Sequence, residues 1–157
     1  MPVVSKPPSY CMTNTLLDLS QRAELRWLEK LSRQVRIAAD ALPFFIVGAT
    51  ARDLILQYCY GIDTGRKTRD VDFAFLVETW DAFEQVRSRL LKTGGFAEIP
   101  RVTHRLRFGD VVVDLVPFGA IERVDRTIAW PPDGSTVMSV IGFREALAAT
   151  TSVILPG

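Results

Sequence analysis

The 157 residues contain a single histidine, His104. That scarcity excludes, within this chain, a zinc site or a phosphorelay built on several histidines. Cysteine is nearly as rare. Cys11 and Cys59 are the two present, far apart and outside any C-x-x-C or Cys/His ligand spacing, which predicts reduced, buried or incidental thiols. An excess of charge of one sign is also missing: 19 Lys and Arg stand against 18 Asp and Glu, a net charge of +1. No general field then draws in nucleic acid or an anionic membrane, and any such contact must be local. The first ten residues hold prolines and one lysine but no apolar run fit for a secretory signal or a membrane span. The expected location is therefore the cytoplasm, with no membrane partner. No internal repeat or low-complexity tract is found.

What remains is ordinary for a globular chain. With 48% hydrophobic and 24% charged residues, a disordered or collagen-like class is excluded, and the length suits one domain with a packed core. Residues 1–15 are expected to form a loose N-terminal leader and residues 16–157 the domain. Between residues 16 and 39, Leu16, Leu19, Ala23, Trp27, Leu28, Leu31, Val35 and Ala38 recur mostly at steps of three and four among polar residues, which predicts an amphipathic helix. It ends before Pro43, since the residue preceding proline is pushed out of the α region. Residues 44–47 are an unbroken apolar run suited to a buried strand, followed by Gly48 and a helix over 49–60. A polar loop at 61–68 carries Arg66 and Lys67.

The stretch 70–76 alternates acids or alanine with large apolar residues, the period-two mark of a strand with two different faces. Thr79 is placed to cap a helix running to about residue 92, and Gly94-Gly95 stops it. Residues 102–108 and 111–116 read as two strands joined by a hairpin at Gly109-Asp110. A strand at 127–130, a turn at 131–134, a helix at 143–149 and the start of a strand at 153–155 complete the expectation.

Chemistry concentrates in two places. Asp70 and Asp72, two apart on a strand, project from one face while Val71 and Phe73 turn to the core. Like charges side by side repel unless a cation sits between them, and hard oxygen ligands favour Mg²⁺ or Mn²⁺. Asp114 is a lone acid in the apolar run Val111-Val112-Val113-Asp114-Leu115-Val116, where burial without a partner is costly. If its strand lies beside the Asp70/Asp72 strand, three carboxylates can hold two metals about 3.5 to 4 Å apart, with Asp114 both ligand and general base. The second place is the turn at Gly48-Ala49. Glycine there lets backbone N–H groups at a helix start approach an anion, and Arg52 adds a cation one turn in.

Each feature also has a plainer reading. Asp70 and Asp72 can form a solvated strand face, and Asp114 can cap a turn or pair with Arg105 or Arg107 across the hairpin. Gly48-Ala49 can be a tight turn and nothing more, and Arg52 and Asp53 can form a structural ion pair with other strands of the fold. His104 is read as structural, and Trp27, Trp80 and Trp130 as core. Arg66, Lys67 and Arg69 suit local RNA phosphate contacts or a solvated loop.

The segment Val47-Gly48-Ala49-Thr50-Ala51-Arg52-Asp53-Leu54, followed by Arg69-Asp70-Val71-Asp72-Phe73-Ala74, resembles the paired signature of the DNA polymerase β-like nucleotidyltransferases and is similar to the opening of tRNA CCA-adding enzymes. The continuation His104-Arg105-Leu106-Arg107-Phe108 and Val113-Asp114-Leu115-Val116-Pro117-Phe118-Gly119 more closely resembles the AbiEii/AbiGii toxin family of bacterial nucleotidyltransferases. The likeness covers about residues 44–119. It implies an α/β (α+β) fold, a mixed β-sheet flanked by helices. It further implies metal at Asp70, Asp72 and Asp114, and a nucleoside triphosphate such as ATP at Gly48, Ala49 and Arg52. The implied reaction transfers an NMP to a hydroxyl and releases pyrophosphate. The acceptor is tRNA in some members, and a protein hydroxyl or a small molecule such as an aminoglycoside is also open. A toxin-like role brings an antitoxin protein as a partner.

Two departures stand out. Ala49 occupies a position where many members carry Gly or Ser, and the helical C-terminal region of relatives is expected to be absent. Both favour the alternative of a non-catalytic nucleotide- or partner-binding module on the same scaffold, whereas the presence of all three acids favours the enzyme.

Overall fold

The computed structural model describes residues 16–65 and 69–157. The expected leader, Cys11 and the pair Arg66 and Lys67 lie outside the described residues. The first half of the chain forms β1 (Leu17–Asp18), α1 (Arg26–Ala39), β2 (Phe44–Val47), α2 (Gly48–Tyr60) and β3 (Val71–Val77). The second half adds α3 (Trp80–Lys92), β4 (Phe96–Glu98), β5 (Arg105–Phe108), β6 (Val111–Gly119), β7 (Thr127–Ala129), β8 (Val137–Ser139), α4 (Phe143–Ala148) and β9 (Val153–Ile154).

Several of these elements follow from local chemistry. In α1 the buried residues Leu28, Leu31, Val35 and Ala38 recur at steps of three and four, so one stripe of the helix meets the core. The Thr79 hydroxyl accepts the Ala82 N–H at 3.1 Å and opens α3. Gly109 takes a φ of +61°, as the tight hairpin between β5 and β6 requires.

Between residues 16 and 25 the structure corrects the expected helix, which begins only at Arg26. Leu17 and Leu19 are buried on either side of exposed Asp18, a period of two rather than 3.6. Leu17–Asp18 pairs in parallel with Val153–Ile154, and the Asp18 carboxylate then accepts the Ser20 N–H at 2.9 Å and turns the chain. A second correction concerns Cys59, which is buried and disulfide-bonded rather than a reduced thiol. Separation along the chain carries no information about which sulfurs meet in space.

The expected fold class is the one found, a five-stranded mixed sheet flanked by helices. The strand order is β2-β3-β6-β5-β4, with β3 and β6 parallel and the other pairs antiparallel. Parallel neighbours need a crossover, and the chain between β3 and β6 supplies it with α3 and the β4–β5 pair. The run expected as a buried strand, β2, is instead the half-buried edge of the sheet. Its unbroken apolar character still has a cause, because both of its faces are covered. Phe44 stacks at 5.8 Å on Phe75 on one side, and Phe45 meets Phe118 edge-on at 5.9 Å on the other.

Helices α1 and α3 pack on one another over the face that carries Val71, Phe73 and Phe75. On the opposite face Phe143 of α4 meets Phe118 edge-on at 5.7 Å. Among the described residues no helix is long and apolar enough to cross a membrane.

Candidate active site

Strand register places four residues in one row across the sheet. Val47 of β2 pairs with Asp72 of β3, Asp72 with Asp114 of β6, and Asp114 with Arg105 of β5. Neighbouring strands lie about 5 Å apart, so Asp72 and Asp114 stand side by side. Their sequence neighbours Val71, Phe73, Val113 and Leu115 are buried on the other face, as alternation requires. Asp70 lies just ahead of β3 and is exposed. Its carbonyl accepts the Thr50 hydroxyl at 2.6 Å, which ties the entry of β3 to the first turn of α2.

Gly48 is the pivot between β2 and α2. Its φ is +68°, and a Cβ built there would lie 2.5 Å from Asp72 Oδ2 and 3.3 Å from Asp72 Cγ. Only glycine leaves space for that carboxylate in this backbone conformation. Helix α2 begins at Gly48 itself, so the first backbone N–H groups of the helix, which lack intrahelical partners, carry its positive end beside the acids. Gly48 and Ala49 are thus where phosphate binding was expected from the sequence. Arg52 is engaged differently: its Nε and Nη2 both donate to Asp53 Oδ1, at 3.0 and 2.8 Å. The pair joins sequence neighbours within α2 rather than reaching another strand.

Asp114 is held in a fork by Arg105. Nε donates to Oδ1 at 2.7 Å and Nη2 to Oδ2 at 2.8 Å, the two-pronged geometry that only a guanidinium provides. The hydrogen bonds to Asp114, then the charges of Asp114, Asp70 and Asp72, hold the Arg105 guanidinium above its ordinary pKa despite some burial. All three expected acids therefore share the field of one cation. His104, beside Arg105 in sequence, packs its ring 5.1 Å from that of Trp130. Burial lowers its imidazole pKa, with Asp114 pulling upward and Arg105 downward.

Among the described residues no group of three His, Cys, Asp or Glu side chains is drawn together to hold a metal ion. Both Asp114 oxygens instead face Arg105. The donor set nevertheless suits a hard divalent cation in kind, being made of carboxylates. A surface hollow of about 540 Å³ lined by Asp81, Glu84, Arg89 and Lys92 of α3 contains none of these residues.

The chain matches no protein-family model and no curated protein. It is similar to two solved structures of the antibiotic-resistance factor ANT(2'')-Ia. One is a solution structure with 19% identity and a TM-score of 0.44, over 73% of this chain and 65% of that one. The other, a crystal structure in complex with adenylyl-2''-tobramycin, shows 22% identity and a TM-score of 0.42, over 73% of this chain and 56% of that one. The chain spans less than two thirds of the length of either. The AbiEii/AbiGii resemblance finds no counterpart among these matches.

The tie from Thr50 escaped sequence reading, because its partner is a backbone carbonyl. Of the two arginines read as possible partners of Asp114, the hairpin register selects Arg105: with a two-residue turn at Gly109-Asp110, Phe108 faces Val111, and counting back sets Arg105 opposite Asp114.

Proposed function

We propose that this protein is a metal-dependent nucleotidyltransferase that moves a nucleoside monophosphate from an NTP to a hydroxyl acceptor. The observation that carries this reading is the row Val47, Asp72, Asp114, Arg105, with the Gly48 turn pressed against Asp72. Asp70, Asp72 and Asp114 would hold Mg²⁺ or Mn²⁺. Divalent ions bound there would neutralise triphosphate charge and activate the attacking hydroxyl. The N–H groups at Gly48 and Ala49 would receive phosphate oxygens, with Arg52 as a further cation on release from Asp53. The acceptor hydroxyl would give its proton to Asp114 as its oxygen bonds to the α-phosphorus, the bridging bond to the β-phosphate breaks and pyrophosphate leaves. Most of the rate would come from positioning and charge neutralisation.

The acceptor classes that the family resemblance supports are tRNA or a protein hydroxyl, in a toxin-like role with an antitoxin partner in the cytoplasm. An aminoglycoside is the small-molecule rival. The Arg105–Asp114 fork favours a second reading, a non-catalytic nucleotide- or partner-binding module, since it occupies the acid that would serve as base.

The purified chain should be incubated with Mg²⁺ and each α-labelled NTP, with total tRNA or tobramycin as acceptor. Label transfer that is lost in Asp72→Ala supports the enzyme. Saturable nucleotide binding without transfer to either acceptor supports the module, and transfer that survives Asp72→Ala defeats the assignment of the acids.

A further inference from the structure

An exposed ion pair is ordinarily a weak and dispensable feature, but Arg105 does not behave like one. It meets both oxygens of Asp114, whose side chain is only 19% exposed. Asp72 is the neighbour of Asp114 in the same row, and Asp70 lies two residues before it. Arg105 thus grips one acid of a row whose next member is Asp72. A divalent cation bound to Asp114 would need an oxygen that Arg105 now grips, and it would sit beside a like charge.

We propose that Arg105 is a built-in rival of the divalent cation for Asp114, so that ion entry must move the guanidinium off that carboxylate. This rests on the reading that the acids hold metal. The chemistry gives the rivalry a consequence. With Arg105 in place the acid row is partly neutralised and folds without strain from like charges, yet its grip on a free ion is weakened. Mg²⁺ binds through few protein carboxylates together with phosphate oxygens, so an ion arriving with its triphosphate brings the extra ligands needed to win Asp114. Nucleotide and metal would then enter together rather than in sequence. Arg105 is a positioning residue in this scheme, acting through Asp114.

The test is Mn²⁺ binding by the whole chain, followed through the EPR signal of the free ion, without nucleotide or acceptor. In Arg105→Gln the ion should bind about tenfold tighter than in wild type, a change of about 1.4 kcal/mol. Arg105→Lys keeps a charge but not the fork, and should fall between the two. Thermal melting supplies a readout independent of binding. Without added ion Arg105→Gln should melt below wild type, and Mg²⁺ should raise its midpoint more than that of wild type. If Arg105→Gln fails to fold by circular dichroism, Arg105→Lys still decides the matter by its affinity. Equal or weaker Mn²⁺ binding in the folded variants overturns the rivalry while leaving the metal reading intact. No binding by wild type or any variant up to millimolar Mn²⁺ overturns both.

Discussion

Gly48 carries two constraints at one backbone position. Its φ of +68° is one that a side chain rarely adopts, and the space where a Cβ would go is filled by the Asp72 carboxylate. Gly48→Ala should therefore lose about 1–3 kcal/mol through backbone strain alone, or roughly 2–4 °C in melting midpoint for each kcal/mol. It should also displace Asp72 and depress label transfer beyond what the lost stability explains. Unchanged melting and transfer in this variant would mean that the close approach of Gly48 to Asp72 does not matter. At this scale the candidate site was largely legible. The Asp70-x-Asp72 spacing and the Gly48 turn are local patterns, and local patterns survive in sequence. The partner of Asp114 was not chosen, because Arg105 and Arg107 are both at hand. Register alone decides it, setting Arg105 opposite Asp114 and Arg107 opposite Val112.

Between elements, the segment after β6 shows what sequence patterns do not reach. Glu122 has a side chain only 2% exposed. It accepts the Gly119 N–H at 2.8 Å, Arg126 Nε at 2.6 Å and Arg144 Nε at 3.1 Å, and Arg144 Nη2 also donates to the Gly119 carbonyl at 2.8 Å. One carboxylate thereby joins the end of β6 to the approach to β7 and to α4. A partner 22 residues away has no periodicity to betray it, and the three-residue strands β4 and β8 were missed for a similar reason, being too short to show alternation. Burial would raise the Glu122 pKa, but the Gly119 N–H, then Arg144 and Arg126, outweigh it and carry it below the ordinary 4.5. A depressed carboxylate contributes stability above its unfolded value and loses it as pH falls through the folded one. Stability of the wild type should therefore drop as pH falls below about 4.5. Glu122→Gln should be less stable at pH 7 by about 1.5–3 kcal/mol, with a shallower acid decline. Urea titrations of both proteins between pH 3 and 7 give the two slopes. Parallel slopes would remove Glu122 from the acid response.

Across the whole molecule, the order of strands was the least legible property, although the class of fold was read correctly. The central pairing of β3 with β6 joins Val71–Val77 to Val113–Gly119 in parallel, and nothing in either run names the other. What selects it is burial shared by distant parts. The core joins Leu28, Leu31 and Val35 of α1 to Phe83, Val86 and Leu90 of α3, and through Phe73 and Phe75 to the sheet. Trp130, beyond β7, belongs to the same cluster, with its ring 5.1 Å from Trp80 and 5.6 Å from Phe83. Phe73 sits at the centre, fully buried and 6.0 Å from Phe44. Phe73→Ala should cost about 3–5 kcal/mol, a large part of the 5–15 kcal/mol that usually separates folded from unfolded chains. Because one core reaches both the sheet and the tryptophans, the loss should appear everywhere together. Far-UV circular dichroism and tryptophan fluorescence should give the same denaturation midpoint in the wild type, and the same lowered midpoint in the variant. Separate midpoints for the two signals would divide the chain into independently melting parts, and the acid row would then owe its alignment to the β3–β6 pairing alone.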